Sequence, residues 1–176
     1  GRVVGGELSV TYGESVLSGF LGGTYKNLSI NGSGDKVISN NITVLENTYA
    51  MGTFTGSGNL EFGGLVQGTA TFGTADSIYT GTVTYSAESI SGRTSQMVYG
   101  GNYSSLIFSG LAKTVDSNLT AGHLVTGSDV AIGNKAVVTF HQVTVDGSAP
   151  TIQIGAGSTL NITMTAGVTQ PRLNNA

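Results

Sequence analysis

The chain contains no cysteine, no tryptophan and two prolines in 176 residues, and 10% of its residues are charged. Without cysteine there are no disulfides, zinc ribbons or thiol chemistry. With 7 basic and 10 acidic residues and a net charge of −3, the chain lacks the basic patch that phosphate backbones or anionic lipids require. Nucleic-acid binding is therefore set aside. No apolar run approaches the roughly 20 residues of a membrane-spanning helix, so membrane insertion is set aside as well. Gly1–Gly6 does not read as a signal peptide, and an exported chain is expected here in mature or excerpted form. Both ends are expected to pack against the chain itself, a neighbouring subunit or a longer parent chain.

What is present is small, neutral and β-branched. Gly, Thr, Ser and Asn together make up nearly half of the chain, while Val, Ile and Thr make up more than a quarter. Stiff β-branched side chains favour strands, and 39% apolar content is too high for a disordered segment. Alternation of period two recurs throughout, as in Leu8-Ser9-Val10-Thr11-Tyr12, Leu28-Ser29-Ile30, Ile42-Thr43-Val44, Leu60-Glu61-Phe62, Val143-Thr144-Val145, Ile152-Gln153-Ile154 and Leu160-Asn161-Ile162-Thr163-Met164. Asn31-Gly32, Ser57-Gly58, Gly63-Gly64, Asp146-Gly147 and Gly155-Ala156-Gly157 punctuate these runs with turn chemistry. Residues 1–176 thus read as a single all-β body.

An internal repeat is the most specific organisational signal. Gly22-Gly23-Thr24-Tyr25-Lys26-Asn27-Leu28-Ser29-Ile30-Asn31-Gly32 matches Gly100-Gly101-Asn102-Tyr103-Ser104-Ser105-Leu106-Ile107-Phe108-Ser109-Gly110 without a gap. At the same offset Val37 pairs with Val115 and Ser39-Asn40 with Ser117-Asn118, and after a one-residue slip Ile42-Thr43 pairs with Leu119-Thr120. Upstream, Val10-Thr11-Tyr12 and Val83-Thr84-Tyr85 open the copies, which span about 8–47 and 81–125.

This cadence, V-T-Y followed by G-G-x-Y-x-x-L-x-[IF]-x-G, resembles repeats of large secreted bacterial surface proteins, including adhesins and autotransporter-like passengers. The resemblance implies a parallel β-helix or β-solenoid and a non-enzymatic role in a cell-surface fibre or adhesin. It also implies an extracellular location and contact with surface glycans or with host or abiotic surfaces, as in attachment and biofilm. The offset from Gly22 to Gly100 would hold four coils of roughly 19–20 residues. A compositional likeness to pilins keeps a second reading open: an antiparallel β-sandwich completed by a neighbouring strand, in a self-assembling filament. The strand centres near 144, 153 and 162 have the short spacing of sandwiches. In either fold Leu8, Val10 and Tyr12 form the apolar face of a first strand, as a capping or strand-exchange element. A third reading, a carbohydrate-binding module, lacks the expected exposed aromatic platform.

Catalytic signals are weak. His123 and His141 are the only histidines and read as structural or surface residues, and no nucleophile elbow, metal-binding His pair or phosphate loop is present. The chain is read as a non-enzyme without cofactor. Asn31-Gly32-Ser33-Gly34-Asp35 places oxygen ligands at alternate positions, as calcium loops do, yet it is also a good β-turn and is read as one. Asn27, Asn31, Asn41, Asn102, Asn118 and Asn161 head Asn-x-Ser/Thr sequons, against about three expected by chance, and are candidate N-glycosylation sites. Strand parity turns Asn27, Asn31, Asn41 and Asn161 outward.

Overall fold

The computed structural model describes residues 2–3, 9–12, 17–18, 20–164 and 169–175. Its 20 strands have no helix between them among the described residues and pair in parallel, in a stack of about eight coils. Among the described residues no helix is long and apolar enough to cross a membrane.

Each coil contributes strand segments to three faces. On the first face Ile42 stacks on Leu60, Leu60 on Val83, Val83 on Leu106, Leu106 on Leu124 and Leu124 on Val143. On the second face, strands Ser95–Met97, Ala112–Val115, Val130–Ile132, Thr151–Ile154 and Arg172–Asn175 form a five-stranded sheet of their own. On the third face Asp35–Ile38 pairs with Thr53–Gly56, followed by Thr71–Phe72 and the start of Gly100–Phe108. Alternate residues point inward, and the result is an apolar core. All six phenylalanines are buried, as are Tyr25, Tyr79, Tyr85, Tyr99 and Tyr103, while Tyr49 is exposed.

The favoured solenoid is thus the observed fold, and the antiparallel sandwich is not. The spacing at 144, 153 and 162 that suggested a sandwich is the passage of the chain across the three faces. Val137–Val145, Thr151–Ile154 and Thr159–Met164 each pair in parallel with neighbouring coils. A three-faced coil and a meander of short strands leave the same mark on a sequence, because both alternate in period two between frequent turns.

The internal repeat is not a whole number of coils. From Gly23 the first face returns at 42, 60 and 83, whereas Gly100 lies two faces further on, stacked on Thr71 of the third face. What recurs is a long strand that crosses a corner. Gly22–Ile30 crosses from the first face to the second, pairing with both Arg2–Val3 and Ser9–Tyr12. Gly100–Phe108 crosses from the third face to the first, pairing with both Thr71–Phe72 and Tyr79–Tyr85.

The exchange of corners takes place in the middle of the stack, where coils lengthen. The steps from Leu60 to Val83 and from Thr71 to Gly100 are both longer than the step from Ile42 to Leu60. The extra length forms an exposed turn in which Ser77 and Thr74 exchange backbone bonds, and a loop closed by an Ile90–Arg93 bridge. Large rings fill the interior there. Phe72 stacks on Phe54 at 5.1 Å and on Tyr103 at 5.3 Å, and Phe62 packs on Tyr85 at 5.2 Å.

Candidate binding groove and the polar corners

Corners are where a parallel coil leaves backbone groups unpaired, and side chains of this protein satisfy them. Asn41 Oδ1 accepts the Asn59 N–H at 2.9 Å, and Asn59 Oδ1 accepts the Thr82 N–H at 2.9 Å, a ladder rising one coil per step. Asn118 Oδ1 accepts from the Val137 N–H at 2.9 Å, and Asp129 Oδ1 from the Thr151 N–H at 2.7 Å. Asn47 Nδ2 donates to Asn27 Oδ1 at 2.6 Å, and Asn161 Nδ2 to Thr139 Oγ1 at 3.3 Å. Of the sequon asparagines, Asn41, Asn118 and Asn161 are exposed and Asn27, Asn31 and Asn102 half-buried. Several of these amides therefore tie one coil to the next.

Two buried lysines satisfy corner carbonyls from inside. Lys36 and Lys113 are fully buried. Lys36 Nζ donates to the carbonyls of Gly32 at 3.2 Å and Gly34 at 2.7 Å, so the segment read as a β-turn turns its carbonyls to the ammonium of its own chain. Lys113 Nζ repeats the arrangement on the carbonyls of Ser109, at 2.6 Å, and Leu111. In both cases the acceptors lie four and two residues before the lysine. Aligning the repeat without a gap misses this equivalence, because the one-residue slip falls inside the second corner, between Gly110 and Lys113. The sequence shows the slip only at Ile42 and Leu119, and the lysines move it upstream of the Val37–Val115 match. Gln96, paired beside Lys113 on the second face, donates from Nε2 to the carbonyls of Phe62 and Gly64, both at 2.8 Å, and accepts at Oε1 from the Ala87 N–H.

Burial pulls Lys113 down to about 8 against the opposing attraction of Glu88, and lowers Lys36 against that of Asp35. Burial also raises Tyr79, Tyr85, Tyr99 and Tyr103 well above the usual phenol range. Below pH 8 both folded and unfolded chains hold the Lys113 proton. Between 8 and 10.5 the unfolded chain holds a proton that the folded chain has released, so stability rises with pH. Above about 10 the unfolded tyrosines ionise while the buried ones do not, and stability falls. The thermal midpoint is therefore expected to climb from about pH 7.5 to about 9.5 and to drop beyond about 10.5. A midpoint that falls steadily across the first of these intervals would contradict the assignment of Lys113.

His123 Nε2 lies 2.9 Å from Thr144 Oγ1, one coil on, and His141 is exposed. Leu8 lies outside the described residues. Val10 and Tyr12 belong to strand Ser9–Tyr12, which pairs in parallel with 27–30 of the same chain, so this segment is a rung of the solenoid.

A concavity lies at the corner between the second and third faces. It has a volume of about 640 Å³ and spans four coils, from 68–71 through 97–102 and 116–120 to 137–139. At one strand spacing per coil it runs about 15 Å along the axis. Gly100 and Gly101 line it where neighbouring coils approach too closely to admit a side chain. A Cβ on Gly100 would meet Asn118 O and Ser117 Cβ at 2.8 Å, and one on Gly101 would meet Phe72 O at 2.0 Å. Within the groove Asn102 stacks on Thr120 and Thr120 on Thr139. The lining includes one carboxylate, Asp116, and no basic side chain among the described residues. Sequence reasoning missed the groove, since its walls come from four segments far apart in the chain.

Comparison with protein-family models, curated proteins and solved structures returns no match.

Proposed function

We propose that this chain is a section of an extracellular surface fibre or adhesin, a stiff spacer that presents polar faces outward. The observation that carries the reading is axial continuity. The coils are hydrogen-bonded to one another through their backbones, and the corners add the amide ladders and the buried lysines. These ties are mostly neutral; a single ion pair, Lys26 with Glu46 at 3.8 Å, occurs among the described residues. Cohesion of this kind is little affected by ionic strength, which suits a molecule facing an exterior of variable salt. The repeat cadence and the low charge support the same location, whereas fold alone would not.

The test is immunogold labelling of intact, unpermeabilised cells with antibodies to this chain, together with electron microscopy of the labelled structures. Label on fibres or patches outside the cell is expected. Label seen only after permeabilisation would overturn the reading.

A further inference from the structure

We propose that the groove between the second and third faces binds a neutral linear glycan, lying along the solenoid axis across the rungs of Asn102, Thr120 and Thr139. The proposal rests on the attachment reading above for its biological sense.

Three observations narrow the occupant. First, the backbone around the groove is already used in coil-to-coil pairing, as Gly101 with Leu119 and Leu119 with Val138, so an extended peptide finds no open strand edge there. Second, the lining offers one carboxylate and no cation, on a chain of net charge −3, which disfavours nucleic acids, sulfated chains and uronates. Third, the available groups are hydroxyls and amides. Among the described residues the Asn102 amide and the Thr120 hydroxyl have no side-chain partner, and Asn118 is held by its Oδ1 on Val137 with its amino group left over. Beside them Val137, 46% exposed, and the half-buried Met97 give apolar patches.

A pyranose presents this combination in complement, with hydroxyls at its rim and C–H groups on its faces. The rungs recur about every 4.8 Å, and an extended β-linked pyranoside chain advances by a similar distance per sugar. One sugar therefore meets one rung, first Asn102, then Thr120, then Thr139. Because the buried tyrosines and phenylalanines point inward, no aromatic platform contributes, and affinity comes from repetition of polar contacts along the axis.

The experiment is a titration of the isotope-labelled full chain, followed by amide NMR, with cellohexaose, chitohexaose and, as an anionic arm, hexagalacturonate. The expected result is saturable shifts confined to 69–71, 100–102, 116–120 and 137–139 with at least one neutral hexasaccharide, and none with the uronate. Asn102→Ala and Thr120→Arg should each weaken that binding at least tenfold with unchanged thermal midpoints; two variants on separate coils guard against loss of fold in one. Shifts absent for both neutral chains, scattered over other faces, or stronger with the uronate would overturn the proposal. Failure here leaves the surface location standing, and internal labelling of cells leaves the titration standing.

Discussion

Val83→Asp is expected to lower unfolding stability by about 4 kcal/mol or more and to break the cooperativity of the stack. Val83 is fully buried in the middle of the first-face ladder, between Leu60 and Leu106. A carboxylate there has only apolar side chains above and below it, and burying it ionised or forcing it to take up a proton is costly in either case. In a solenoid each coil contacts only its neighbours, so the damage does not spread evenly. The coils before and after position 83 lose their shared interface and should melt as two units. Thr84→Asn, one residue on and facing outward, should stay within about 0.5 kcal/mol of the parent. Urea unfolding followed by circular dichroism measures both. A parent-like Val83→Asp with a damaged Thr84→Asn would mean that the strand is shifted by one residue, since a single step exchanges the inner and outer sets.

That prediction uses what was most legible in the sequence. Alternation put Leu28, Ile30, Ile42, Val44, Leu60 and Phe62 on one side of their strands, and they are the buried side. The repeat was equally visible, but its meaning was not. A coil is defined by register between strands, and register lies in which residue sits above which, a non-local fact. The motif G-G-x-Y-x-x-L records a local need instead: glycines where a long strand begins close to the neighbouring coil, a corner just after the tyrosine, then alternating apolar residues beyond it. Such a segment serves at any corner, which is how it came to bridge the first and second faces at Gly22 and the third and first at Gly100. Lys36 and Lys113 illustrate the same limit. A lysine beside glycines reads as a solvated turn residue, and only the closed corner shows its ammonium among backbone carbonyls. The groove has no linear signature at all beyond Gly100-Gly101.

Gly64→Ala is expected to be more damaging than Gly147→Ala, by several kcal/mol, although the local backbone suggests the reverse. Gly147 has φ of 84°, in the left-handed region that side chains avoid, while Gly64 is outside that region. Yet nothing lies within 4 Å of a Cβ on Gly147, so alanine there meets only the left-handed strain of about 1 kcal/mol. A Cβ on Gly64 would lie 1.8 Å from the Glu46 carbonyl oxygen and 2.6 Å from its carbon, which are backbone atoms of the preceding coil and cannot rotate away. Relief requires the two coils to separate at that corner. Separation stretches the Gly63 N–H bond to Val44 O, now 2.7 Å, and withdraws the Gly64 carbonyl from Gln96, leaving a buried amide underused beside Lys113. The cost therefore combines lost ladder bonds with an unsatisfied polar group in the core. Urea midpoints of the two variants decide the matter: an order in which Gly147→Ala is the weaker protein would show that coil contact at this corner is looser than the geometry states.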